Sequence, residues 1–121
     1  MIVCAIDDLI FSIKIKTAAK QLGVEIHFER SRENVLPTIR DKRPGLVIFD
    51  LNSSRLAPME AIAAMKADPE LKRVMTLGYV SHVDSEAIAE ARRVGIDQVL
   101  ARSTFVERLG AILGSSGALL S

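Results

Sequence analysis

Two short, continuously apolar segments, each followed at once by aspartate, constrain the fold of this chain most. Residues 2–6 precede Asp7 and Asp8, and residues 46–49 precede Asp50. An apolar run of this length is typical of a strand buried on both faces, as in a parallel sheet covered by helices. Ligands bind where the carboxyl ends of such strands meet the edge of the sheet. The three carboxylates are therefore candidates for chemistry rather than for packing.

Length and composition indicate one domain without nucleic-acid or membrane contacts. A chain of 121 residues buries about two-thirds of its unfolded surface. Sixteen basic residues nearly cancel fifteen acidic ones, so the positive surface of a nucleic-acid binder is missing. Cys4 is the single cysteine, which excludes an internal disulfide and indicates a reducing compartment. Since no signal-peptide pattern or apolar stretch of about 18 residues occurs, we expect a cytoplasmic protein.

Strand patterns alternate with helix patterns along the whole sequence. We expect strands at about 2–6, 24–28, 46–50, 73–80 and 98–101. We expect helices at about 9–22, 32–42 and 58–66, a fourth from a capping box at 81–84 to Gly95, and a fifth from a capping box at 104–107 to about 113. Five such repeats predict a parallel sheet with helices on both faces.

The pattern of apolar and polar residues in each predicted strand indicates its position in the sheet. The second strand alternates apolar and polar residues and belongs at an edge, whereas the first and third belong in the middle. This favours order 2-1-3-4-5, a flavodoxin-like doubly wound α/β fold of (βα)5 type. Its topological switch point brings Asp7, Asp8 and Asp50 into one crevice. Clustered carboxylates favour a hard divalent cation such as Mg²⁺, although two of the acids can instead cap helix one while the third pairs with an arginine.

The acidic trio, the strand order and Asn52 two residues after Asp50 together resemble the receiver domain of response regulators, over about residues 1–113. The resemblance implies that Asp50 is the phosphoacceptor. It also implies that Mg²⁺ is held by Asp7, Asp8, Asp50 and the backbone carbonyl of Asn52. No enzymatic activity is implied beyond self-phosphorylation and autodephosphorylation.

The same resemblance implies partners. A histidine kinase or phosphotransfer protein would supply the phosphoryl group, and an output protein or domain outside this chain would respond to it. Residues 114–121 are expected to form a flexible C-terminal tail. Signalling receivers often dimerise through helix four, strand five and helix five. That face would carry several arginines here, which fits an acidic partner surface or solvated side chains: Arg92, Arg93, Arg102 and Arg108.

The sequence departs from the receiver pattern where phosphorylation is transmitted. Arg102, followed by Ser103, stands where the family has lysine and proline, and is the candidate replacement cation. Val80 stands at the position of the family's hydroxyl, which makes Ser81, one residue on, the candidate switch hydroxyl. Val99 stands where the family has an aromatic residue.

Two hypotheses within the fold follow from these departures, and one outside it. The chain is a phosphorylatable receiver with atypical switch residues, or a pseudo-receiver that acts as a phosphorylation-independent protein–protein interaction module. A metal nuclease also clusters acids at strand ends. The further acid that such a site needs is not supplied by Asp97, which precedes its strand and so lies at the opposite end of the sheet.

Overall fold

The computed structural model describes residues 1–81 and 84–115. In this part of the chain, five parallel strands form one sheet: β1 (Ile2–Ala5), β2 (Ile26–Glu29), β3 (Leu46–Asp50), β4 (Met75–Val80) and β5 (Gln98–Ala101). Their spatial order is β2-β1-β3-β4-β5. The predicted flavodoxin-like fold and its strand order are therefore confirmed.

Within the described ranges, six helices and one 3-10 turn connect the strands and cover the sheet. They are α1 (Leu9–Leu22), α2 (Arg32–Lys42), the 3-10 turn Ser54–Leu56, α3 (Pro58–Ala67), α4 (Ser85–Arg93), α5 (Arg102–Glu107) and α6 (Leu109–Ser115). None of these helices, in the part of the chain that is described, has both the length and the apolar character needed to cross a membrane.

Two hydrophobic clusters lie on opposite faces of the sheet, and the central strands contribute to both. On β3, Val47 and Phe49 belong to one cluster, and Leu46 and Ile48 belong to the other. Every residue of β1 and β3 is buried, whereas β2 and most of β5 are half-buried. The continuous apolar runs are thus explained, because side chains alternate between two dry faces.

Two predicted helix starts are wrong. Helix α4 is capped by Asp84, whose carboxylate accepts a hydrogen bond from the Ala87 N–H at 3.0 Å, so Ser81 does not cap it. The fifth predicted helix begins at Arg102 instead of Thr104, directly after β5, and is divided into α5 and α6. Helix α6 extends to Ser115, and the remaining residues of the predicted tail, 116–121, lie outside the described residues.

Candidate functional site at the carboxyl ends of β1 and β3

Asp50 ends the central strand at the edge of the sheet. It lies opposite Tyr79 in the β3–β4 register, and only 9% of the residue is exposed. Its Oδ1 accepts a hydrogen bond from the Asn52 N–H at 2.9 Å. The next residue, Leu51, donates its N–H to the Tyr79 carbonyl at 3.0 Å, which fixes the backbone beneath the carboxylate.

The side chain of Leu51 anchors the same segment against β4. A methyl group added at Gly78 would lie 2.6 Å from Leu51 Cγ and Cδ1, and 2.8 Å from Ile96 Cδ1. Only a residue without a side chain leaves room for Leu51 at this point. The glycine near the end of strand four therefore sets the packing directly below Asp50.

Opposing influences act on the pKa of Asp50. Burial raises the pKa of Asp50, and the neighbouring carboxylates of Asp7 and Asp8 raise it further. The Asn52 N–H and the Arg102 guanidinium lower this pKa, but they do not cancel the effect of burial. The ionised form of Asp50 is therefore destabilised in the folded protein, and a cation close to the carboxylate would stabilise that form.

The two acids after β1 are already engaged by protein groups. Asp8 caps α1, because its Oδ1 accepts the Phe11 N–H at 3.0 Å, and its Oδ2 lies 3.5 Å from Arg102 Nη2. Asp7 Oδ2 accepts a hydrogen bond from the Ser53 hydroxyl at 3.1 Å. The alternative expectation, in which two acids cap helix one and the third pairs with an arginine, differs from this arrangement, because Asp8 both caps α1 and pairs with Arg102 while Asp7 bonds Ser53.

Arg102 lies at this site, where the resemblance to receivers predicts a positively charged side chain. It is the first residue of α5. Its guanidinium carbon lies 4.0 Å from the centroid of the Phe11 ring, and its charge lowers the pKa of Asp50. The planar guanidinium therefore stacks on a ring while one of its edges faces Asp8.

An aromatic cluster forms the floor of the site, and sequence reasoning missed its role. Phe11 meets Tyr79 edge-on, with ring centroids 5.0 Å apart, and Tyr79 stacks on Phe105 at 5.2 Å. The three rings come from α1, β4 and α5, so no local spacing signals that they meet.

Tyr79 is buried beneath Asp50, and its hydroxyl has no hydrogen-bond partner among the described residues. Burial, followed by the negative charge of Asp50, raises the pKa of Tyr79. The phenol therefore stays neutral and contributes an apolar wall rather than a charge.

Asn52 and Ser81 meet on the outer side of the site. Asn52 Oδ1 accepts the Ser81 N–H at 2.6 Å, and the Asn52 backbone carbonyl accepts the Ser54 N–H at 3.2 Å. Ser81 is exposed and lies one residue beyond β4. Val80, the last residue of β4, is buried and packs in the same cluster as Val99, so the strand end itself carries no hydroxyl.

The donors at the site suit a hard cation by their chemistry. Asp7, Asp8, Asp50 and the Asn52 carbonyl offer only oxygen, which Mg²⁺ prefers. Within residues 1–81 and 84–115, however, no group of three or more acidic, histidine or cysteine side chains converges closely enough to hold a metal ion. Asp7 and Asp8 are instead engaged by Ser53 and Arg102.

A cavity of about 580 Å³ adjoins the site between α4, β5 and α5. Its walls include Val80, Ile88 and Val99, and Arg92 and Arg102 also line it. The space lies where the departures from the receiver pattern are concentrated, because small aliphatic side chains stand at both switch positions.

Comparison with known proteins establishes the fold. No family model matches this sequence, and no curated protein matches it significantly. A response regulator from Hahella chejuensis superposes with a TM-score of 0.82 at 15% identity, over 99% of this chain and 97% of that chain. The phosphorylated cyanobacterial phytochrome response regulator RcpA gives 0.74 at 18% identity, over 98% and 92%. The Mn²⁺-bound form of response regulator Rcp1 gives 0.72 at 16% identity, over 99% and 94%. The chain therefore has the fold of a response-regulator receiver domain.

Proposed function

We propose that this chain is a two-component receiver that accepts a phosphoryl group on Asp50. The observation that supports this most is a buried carboxylate at the end of β3 whose pKa is influenced both by the acids after β1 and by the Arg102 guanidinium. Among proteins of this fold, RcpA has been crystallised in a phosphorylated state. The proposal carries no catalytic activity beyond self-phosphorylation and autodephosphorylation.

The chemistry is an in-line transfer. An ionised Asp50 oxygen attacks the phosphorus of a phosphohistidine or a small phosphodonor, the bond to the leaving group breaks, and an acyl phosphate forms. Arg102 can donate two parallel N–H bonds to the phosphoryl oxygens. Burial beside Tyr79 keeps water from one side of Asp50.

The cofactor that belongs to this proposal is Mg²⁺. Asp7, Asp8, Asp50 and the Asn52 carbonyl would hold it, and when bound it would offset the negative charge that builds up around the phosphoryl group. Rcp1, which shares the fold, has been crystallised with Mn²⁺. For Asp8 to serve as a ligand, its contact with Arg102 has to yield.

The partners that follow are a histidine kinase or phosphotransfer protein and an output protein or domain. The α4, β5 and α5 face is the proposed site of homodimer or partner contact. Arg92 and Arg93 lie in the last turn of α4 on this side, and the adjacent cavity is open to a partner side chain. An acidic surface would complement these arginines.

Phosphodonor labelling tests the proposal. With acetyl phosphate and Mg²⁺, the wild-type protein is expected to gain the mass of one phosphoryl group, and beryllofluoride with Mg²⁺ is expected to raise its melting temperature. Asp50→Asn should show neither effect. Asp41→Asn removes an exposed carboxylate on α2 and should behave like wild type. If wild type gains no mass and its melting temperature does not rise, Asp50 is not an acceptor.

A specific observation favours the alternative function, a pseudo-receiver. Arg102 already pairs with Asp8, and Ser53 already bonds Asp7, so part of the acidic charge is compensated without a metal. Val80 and Val99 also lack the groups that report phosphorylation in the family. Under this alternative the protein binds its partner through a fixed surface, and Asp50→Asn leaves that binding unchanged.

A further inference from the structure

We infer that Phe11 is a positioning residue: its ring holds the Arg102 guanidinium against Asp8, as a resident counter-ion that a divalent cation must displace. The contact between Phe11 and Arg102 stands on geometry alone, whereas the displacement rests on the proposed function. The receiver pattern has lysine where Arg102 stands, and lysine lacks the planar face with which a guanidinium stacks on a ring.

The Arg102–Phe11 contact is closer than the arginine–aromatic contact between Arg30 and Phe28. Arg102 Cζ lies 4.0 Å from the Phe11 centroid, which is van der Waals contact between the planar guanidinium and the ring face. In a second arginine–aromatic contact of the molecule, Arg30 Cζ lies 5.9 Å from the Phe28 centroid, near the outer limit for such attraction. Arg102 is therefore held by the ring itself, and Arg30 offers a matched control.

Phe11 also contacts the other partner of the ion pair. Its N–H donates to Asp8 Oδ1 at 3.0 Å, while the other oxygen of Asp8 faces Arg102. The ring is fixed, because Phe11 is 3% exposed and meets Tyr79 edge-on at 5.0 Å. One rigid residue thus sets the positions of both the carboxylate and the guanidinium.

The ion pair itself is of a kind that a metal can displace. Its N–O distance is 3.5 Å, and the side chains of Arg102 and Asp8 are 36% and 39% exposed, so water and salt weaken the attraction. A divalent cation brings twice the charge to the same carboxylate. If Asp8 served as a ligand of such a cation, Arg102 would lose this partner and would be free to bind phosphoryl oxygens at Asp50.

Magnesium binding tests the displacement. Mg²⁺ affinity is measured by isothermal titration for wild type, Arg102→Met, Phe11→Leu and the double variant. Arg102→Met should tighten binding by about three- to tenfold, because a competing charge is lost. Phe11→Leu should tighten it by a smaller factor, and by nothing in the Arg102→Met background. An equal effect of Phe11→Leu in both backgrounds, or no tightening by Arg102→Met, would overturn the inference.

A second measurement needs no metal and separates this inference from the proposed function. Urea unfolding of the same four proteins should show a coupling between Phe11 and Arg102 of about fivefold in the unfolding equilibrium constant. Arg102→Lys keeps the charge but not the planar face, and should lose most of the coupling. Pairing Phe11→Leu with Arg30→Met should give additive effects.

The outcomes of the two measurements are distinct. If no variant binds Mg²⁺ but the coupling is present, the metal in the proposed function fails and the positioning by Phe11 stands. Additive effects of Phe11→Leu and Arg102→Met on unfolding would overturn the positioning whatever the metal does. Phe11→Met fills a similar buried volume and replaces Phe11→Leu if that variant is too unstable to measure.

Discussion

The two halves of the sheet differ in burial and in which residues of the receiver pattern they carry. In the acceptor half, formed by β1, β3 and the residues that follow them, every strand residue is buried and three aspartates stand at the carboxyl ends. In the output half, formed by β4, β5 and the residues that follow them, β5 is largely half-buried, and valines occupy both switch positions. The proposed phosphoacceptor thus lies in the most buried part of the sheet, whereas aliphatic side chains stand where receivers carry their switch residues.

The largest expected effect tests whether the acceptor half is the more tightly packed. Leu46 of β3 is fully buried and Leu100 of β5 is half-buried, so the same leucine-to-alanine change probes both halves. Leu46→Ala should destabilise the fold by about 2–5 kcal/mol, and Leu100→Ala by about half as much or less. Urea unfolding measures both, and equal losses would remove the proposed difference in packing.

The boundary between the halves passes through Gly78, which pairs with Phe49 on one side and Val99 on the other. Gly78→Ala should cost about 1–3 kcal/mol, because the new methyl group would overlap Leu51. Gly110→Ala on α6 meets nothing within 4 Å and should instead stabilise the helix by about 0.5–1 kcal/mol. Thermal unfolding of both variants checks the contrast in sign.

Neutralising one carboxylate in each half, Asp97 and Asp50, should change the free energy of unfolding in opposite directions. Burial alone would raise the pKa of Asp97, but the N–H and hydroxyl of Thr76 and the Lys66 ammonium outweigh it and lower that pKa. Asp97→Asn should therefore destabilise the fold by about 1–2 kcal/mol at neutral pH. Because burial raises the pKa of Asp50, Asp50→Asn should stabilise the fold by about 0.5–1.5 kcal/mol.

The pH dependence gives the signs of these two effects independently. A lowered folded-state pKa stabilises above the unfolded value, so the advantage of wild type over Asp97→Asn should shrink as pH falls. A raised folded-state pKa means that ionised Asp50 destabilises the folded protein at neutral pH. Acidification protonates Asp50 and removes this destabilisation, so the advantage of Asp50→Asn over wild type should also shrink as pH falls. Urea titrations from neutral to acidic pH measure both differences. A lead for Asp50→Asn that grew on acidification would contradict the charged state assigned to Asp50.

The smallest effect on stability concerns the arginines of α4. Reversing the charge of Arg92 and Arg93 together should change the unfolding free energy by no more than about 0.5 kcal/mol, since exposed charges contribute little. If the α4, β5 and α5 face binds an acidic partner or a second copy, sedimentation should show that the association is lost. Unchanged association would exclude these arginines from the interface.

The sequence predicted the layout of the molecule because its strongest signals are local. An apolar run buried on both faces and aspartates at strand ends need no knowledge of distant residues, and together they place Asp7, Asp8 and Asp50 at one edge. The aromatic cluster of Phe11, Tyr79 and Phe105, which Arg102 contacts through Phe11, was not predictable in this way. It depends on rings from three separated segments and on α5 beginning at Arg102, whereas the capping pattern at Thr104 indicated a later start.

If Asp50 accepts a phosphoryl group as proposed, we expect the added charge to perturb the acceptor half and to reach the output half only weakly. Amide NMR spectra recorded with and without beryllofluoride and Mg²⁺ test it most directly. We expect large shifts for Asp7, Asp8, Asp50 and Asn52, a shift for Arg102, which contacts Asp8 although it follows β5, and small shifts for Val99. Unshifted amides at Asp50 and Asn52 would contradict it, and large shifts throughout β5 would show that the output half responds after all.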